Sequence, residues 1–164
     1  MALPTLDRRR LALAALGLLL AACLAVVAAG NWWLHQQRRD DDRVDDVAST
    51  AATTVTAVLS YDYRRLQAGM DSTTPLLTGD AEKQYVELQQ PLLRTAPKLK
   101  AVVSADVKAT TVLESDDDSA RVLLFVDQTS TSKKLTEPQL DQSRILVTLT
   151  RSGDHWLVST LAAI

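Results

Sequence analysis

Hydrophobic positions follow three different patterns along the chain. From Leu11 to Leu34 the run "LALAALGLLLAACLAVVAAGNWWL" is almost continuously apolar, with Arg8, Arg9 and Arg10 immediately before it. From His35 to Ala68 there is neither Gly nor Pro, and Val44, Val47, Ala51, Val55, Val58 and Leu59 recur mostly at spacings of three and four. That period places apolar side chains on one face of a helix. Beyond Pro97 the period changes to two. "KAVVSADVKATTVLES", "ARVLLFVDQTST", "SRILVTLTRSG" and "DHWLVSTLAAI" are rich in Val, Leu, Ile and Thr and are separated by polar clusters, which predicts four antiparallel strands.

The punctuation between these runs sets the expected boundaries. Gly69 closes the long helix; "DSTTPLL" predicts a helix start with Thr74 as cap and Pro75 at the first helical position. A third helix restarts at Thr78 to Asp80 and carries Ala81, Tyr85, Leu88 and Leu92 on one face. Pro91 removes a backbone donor within it and is expected to kink or split it. "ESDDDSA" joins the first two strands, "SKKLTEPQLDQ" forms a longer polar loop, and "RSGD" is a hairpin with Gly153 available for a positive φ. The expected class is therefore α+β: a transmembrane helix, then about three helices packed on a curved four-stranded antiparallel sheet. The divisions are a basic tail (1–10), a span (11–34), a membrane-proximal long helix (35–68) and the remaining outer α+β domain (69–164), on which 44–68 packs.

The apolar run admits three readings: a cleaved export signal, a lipoprotein signal ending at Cys23, and a permanent anchor. As a helix it would be about 36 Å long at 1.5 Å per residue, against a hydrocarbon core of about 30 Å. A secretory apolar region is shorter, about 7 to 15 residues. "LAAC" at Leu20 to Cys23 has the pattern of a lipid-attachment box, but about ten further residues of mostly apolar sequence would remain on the mature chain. The anchor fits best, with Arg8, Arg9 and Arg10 at one membrane interface and Trp32 and Trp33 at the other. The short basic N-terminal tail is expected in the cytoplasm and the chain from about His35 onward outside.

Composition narrows the function further. The formal charge of the 164 residues is −2 and no basic tail is interleaved with aromatics, which excludes nucleic acid as an expected partner. The single cysteine lies in the apolar run, so no intramolecular disulfide holds the outer domain. "RRDDDRVDD", Arg38 to Asp46, is read as a solvated, mutually paired collar, because on a helix Arg38 can meet Asp41 or Asp42 and Arg39 can meet Asp42. The alternative is a cation site or a docking surface for another membrane subunit, and three adjacent aspartates pointing around a helix cannot chelate together. An acid–base site would draw on Tyr61, Asp62, Tyr63, Tyr85, Asp127 and His155. Asp127 stands out because it interrupts an apolar strand on the face that carries Leu123 and Phe125, where a buried carboxylate would need a partner; the expected reading is that it marks the strand end, exposed or bonded to local backbone. No catalytic constellation, cofactor motif or metal-ligand spacing emerges, and the chain is read as non-enzymatic. Tyr61, Tyr63, Tyr85, Phe125, Asp127 and Trp156 are the candidate pocket or partner contacts.

An ordered set of short motifs then suggests a family. A basic tail, one span, a helix ending in "LSYDYRRL", then "LTGDAEKQY", "VLLFVDQT" and a terminal "GDHWLVSTL" resembles the Mce-associated membrane proteins of actinobacteria. Ala81 departs from that pattern, which commonly has an aromatic after "TGD". The resemblance implies a cone-shaped, nuclear-transport-factor-2-like or cystatin-like outer domain. It also implies a non-catalytic accessory or stabilising subunit of an Mce-type lipid importer, with the bilayer and transporter subunits as partners. A membrane-tethered lipid-binding or handover module with an apolar pocket is the alternative, and an isomerase- or dehydratase-like enzyme a remote one. The state of the sheet's interior separates them: filled, empty and apolar, or polar with paired titratable groups.

Overall fold

The computed structural model describes residues 43–164. The expected span at 11–34 and its flanking residues Arg8, Arg9, Arg10, Trp32 and Trp33 lie outside the described residues. Among the described residues no helix is long and apolar enough to cross a membrane.

Helix α1 covers residues 43–59. Its buried face is Val47, Ala51, Thr54 and Val55, all at or near zero exposure, while Val44 stands out in solvent. The helix ends well before Gly69, contrary to the single long helix expected over 35–68. The Ser60 hydroxyl accepts a hydrogen bond from the Ala105 amide at 2.9 Å, and β1 (Tyr61–Asp62) pairs antiparallel with Val102 and Val103. A turn follows in which the Asp62 carboxylate accepts from the Arg64 amide at 2.9 Å and the Arg65 amide donates to the Asp62 carbonyl. Side-chain acceptors of this kind offer the backbone an alternative to continuing as helix.

Helix α2 (Leu66–Thr73) therefore contains Gly69 rather than being preceded by it, and buries Leu66, Met70 and Thr73. The expected helix at Pro75 is a single 3-10 turn, Thr74–Leu76, with Thr73 rather than Thr74 at the capping position. Helix α3 runs unbroken over Gly79–Leu99 with both Pro91 and Pro97 inside it. It is not split because it packs on both sides of Pro91. Ala81 joins the main core near one end, and Leu92, Leu93 and Ala96 join a second cluster with Leu66, Met70 and Ala101 near the other.

The sheet is a five-stranded meander in the order β1-β2-β3-β4-β5, one strand more than expected, because β1 is too short to show a period of two. The long strands are β2 (Val102–Ser115), β3 (Ser119–Thr131), β4 (Gln139–Ser152) and β5 (His155–Ala163). Alternation decides their faces. Ala120, Val122, Leu124 and Val126 of β3, Ile145, Val147 and Leu149 of β4, and Trp156 and Val158 of β5 point into one core with α1. Register shifts in β2 and between β4 and β5 mark bulges, which bend the strands. The hairpin at Gly153, with φ of +61°, is where the sequence places it.

Two glycines give opposite expected outcomes. Gly79 has a φ of +59° and a Cβ there would stand 3.4 Å from the Ser159 carbonyl oxygen, so Gly79→Ala should cost about 1–2 kcal/mol. Gly69 is helical with open space around it, so Gly69→Ala should stabilise by about 0.5–1 kcal/mol. Urea unfolding followed by circular dichroism reads both. The Arg64 guanidinium, 2.6 Å from the Asp62 carboxylate, holds that carboxyl well below its ordinary range, at about 2. A depressed folded-state value means the pairing supports the fold fully above about pH 4 and loses that support as pH falls toward 2. Arg64→Gln should raise the Asp62 midpoint toward the ordinary range in carboxyl-resolved NMR, stopping short of it because the residue-64 backbone amide still donates; an unchanged midpoint would refute the side-chain pairing.

Candidate functional site

Where the sheet extends past the main core, its inward positions change character. On β3 the inward series Val122, Leu124, Val126 continues as Gln128 and Ser130, and on β4 the series Leu149, Val147, Ile145 continues toward the strand start as Ser143 and Asp141. Above these positions α3 passes from one hydrophobic cluster to the other. Between sheet and helix lies a half-open cavity of about 600 Å³, within the roughly 300–1,000 Å³ common for small-molecule sites.

Each wall comes from a different element. Val58 and Leu59 contribute from the end of α1, Tyr61 from β1 and Met70 from α2; Ala81, Tyr85, Leu88, Pro91 and Leu92 form the α3 wall, and Val103 and Leu161 belong to the sheet. Gln84, Gln89, Thr95, Gln128, Ser130 and Asp141 supply the polar groups. The Gln128 amide donates to the Leu59 carbonyl at 3.4 Å, which links floor and wall. The Gln139 amide donates to both Asp141 carboxylate oxygens, at 3.1 and 3.2 Å. Leu88, 64 % exposed, is a large apolar side chain left mostly in solvent beside the opening.

Of the six candidate contacts, only Tyr61 and Tyr85 meet at this cavity. Tyr63 packs with the second cluster, and the Arg64 guanidinium lies 5.7 Å from its ring centre. Trp156 is buried in the main core, with the Arg151 guanidinium 5.8 Å from its ring. Phe125 and Asp127 do share a face with Leu123, but it is the outer face, because Val122, Leu124 and Val126 occupy the inner one. There Arg144 lies 5.8 Å from the Phe125 ring, and the Asp127 carboxylate accepts from the Gln142 side chain at 2.9 Å. Asp127 is thus a cross-strand partner on the outer face, in keeping with the surface reading, and its bond runs to the side chain of Gln142 rather than to local backbone. His155 is exposed at the start of β5, and Asp62 is committed to Arg64. Arg43, in the described part of the acidic collar, pairs with Asp117 in the β2–β3 turn at 2.5 Å. Among the described residues no group of three side chains is arranged to hold a metal ion.

The cavity residues that the sequence reading missed were partly within reach. Leu88 and Leu92 lie on the apolar face assigned to the third helix, and counting by twos from Val126 and Ile145 reaches Gln128, Ser130 and Asp141.

No family model matches the sequence. The Mycobacterium tuberculosis protein Rv1362c, described as uncharacterized, is 34% identical over 110 residues, covering 66% of this chain and 50% of that protein. The chain thus spans about half the length of that relative. "Outer membrane protein Rv1973" of the same organism is 33% identical over 110 residues, covering 66% of this chain and 68% of that protein. Solved structures share the fold at low identity. An IcmL-like type IV secretion system protein from Legionella pneumophila has a TM-score of 0.60 at 14% identity, covering 72% of this chain and 89% of that one. The VirB8 protein of Agrobacterium tumefaciens has a TM-score of 0.58 at 11% identity, covering 73% and 90%. The helices-on-antiparallel-sheet architecture is therefore one that solved proteins share, and by sequence the chain belongs to the family of the mycobacterial protein named Outer membrane protein Rv1973.

Proposed function

We propose that this chain is a non-catalytic, membrane-anchored accessory subunit of a lipid-import assembly of the Mce type, and that its outer domain holds an apolar molecule in the cavity under α3. The observation that carries the reading is the cavity itself: about 600 Å³, half open, with walls made chiefly of Leu, Val, Met and Tyr side chains. Apolar surface facing such a space is costly to leave against water and is stabilised by a hydrocarbon, at about 25 cal/mol per Å² removed from water. The apolar interior favours binding over acid–base chemistry, which needs titratable groups whose surroundings push their pKa values apart. The resemblance in the motifs from "LSYDYRRL" to "GDHWLVSTL" supports the importer, the relative's name supports a membrane location, and the short basic tail before the apolar run supports a cytoplasmic N-terminus with the domain outside.

The test is purification of the tagged full chain from its native membrane in mild detergent, with co-purifying chains and bound lipids both identified by mass spectrometry. Mce-type transporter subunits and an apolar molecule in near-equal amount with the chain are expected. Thr95→Trp, which adds bulk at an exposed α3 position lining the cavity, should keep the partners and lose most of the lipid. Recovery of the chain alone, while control complexes survive the detergent, would refute the accessory role. Partners without lipid would refute the cavity's part in it.

A further inference from the structure

The polar groups around the cavity determine more than its capacity for hydrocarbon. Asp141 brings a carboxylate; Gln84, Gln89 and Gln128 bring neutral amides; Ser130 and Thr95 bring hydroxyls. Among the described residues that line the cavity there is no Lys, Arg or His. Several cations elsewhere in the domain are already committed to carboxylates: Arg64 to Asp62, Lys83 to Asp80, Lys108 to Asp106 and Arg121 to Glu114.

We propose that the cavity takes uncharged, hydroxyl-bearing lipids and rejects fatty-acid anions, an inference that rests on the apolar-ligand reading above. An anionic head group brought to this opening would lose water, meet the like charge of Asp141 and find no cation to offset either cost. A hydroxyl meets both kinds of partner at once. It donates to the Asp141 carboxylate, whose two oxygens offer about four acceptor sites, only some of them used by Gln139, and it accepts from a glutamine amide. Hydrogen bonds to an ionised acceptor are about twice as strong as neutral ones. An ammonium head would use only the carboxylate, at an exposed position where an ion pair contributes little.

The experiment uses the full chain held in amphipol, with Nile red, an uncharged fluorophore, displaced near neutral pH by three competitors of the same chain length: oleyl alcohol, 1-monooleoylglycerol and oleate. The alcohol and the monoacylglycerol should bind about two- to fivefold more tightly than oleate, the ratio that a solvent-screened charge contact of up to about 1 kcal/mol at an exposed carboxylate produces. Asp141→Asn should narrow that ratio by strengthening oleate, and Asp141→Lys should reverse it. Asp141 is exposed, and the same thermal melt for wild type and variants separates altered selectivity from misfolding. Oleate binding as tightly as the alcohol in the wild type, or a ratio unmoved by both substitutions, would overturn the preference while leaving the apolar-ligand reading intact. Failure of Nile red and of all three competitors to bind would overturn both.

Discussion

The packing of α1 against the inner face of the sheet fixes everything else in this domain. Val47, Ala51 and Val55 of the helix and Val122, Leu124, Val147, Leu149 and Val158 of the sheet form one cluster of closely buried aliphatic side chains. Because side chains on a strand alternate, this contact commits every position of β3 and β4 to a face, and a slip of one residue would turn the whole set outward. Buried aliphatic contacts of this density tolerate little change in volume. The sheet is thus held firmly at the end where α1 covers it.

Its other end is covered differently. Helix α3 rests on the main core through Ala81 and on a second cluster through Leu92, Leu93 and Ala96, with Tyr85 touching both clusters. The stretch between those supports carries Leu88 and Pro91 and forms a wall of the cavity. A proline there removes a hydrogen bond from the helix, a penalty that two anchored ends can absorb where an isolated helix could not. The cavity is accordingly a consequence of two cores that do not merge. The strands continue past one cluster before the helix reaches the other, and the inward positions of β3 and β4 left between them are Gln128, Ser130 and Asp141 instead of further aliphatics.

The parts of this arrangement that repeat were legible in the sequence. The period of two after Pro97 gave β2 to β5, the spacing of Val47, Ala51 and Val55 gave the buried face of α1, and "RSGD" gave the last hairpin. What depends on distant partners was not legible. Strand β1 is two residues inside a stretch with helical spacing, and only the edge of β2 and the Ser60 contact to Ala105 make it a strand. The continuity of α3 depends on packing at both its ends, so the local penalty of Pro91 pointed the wrong way. Asp127 attracted attention as a polar residue in an apolar strand, yet polarity does not reveal which face is covered. The parity of Val122, Leu124 and Val126 does, once α1 is known to lie on their side. A cavity is harder still to read from sequence, since it is defined by the distance between two packed clusters.

The decisive measurement is photolabelling of the full chain with a long-chain alcohol that carries a diazirine in its hydrocarbon, followed by mapping of the modified residues. Adducts on α3 between Tyr85 and Thr95, together with Val103 or Leu161 of the sheet, are the expected result, because these positions line one space. Adducts concentrated on the outer face of the sheet, at Phe125 and Ile164, with the α3 segment unlabelled, would contradict it.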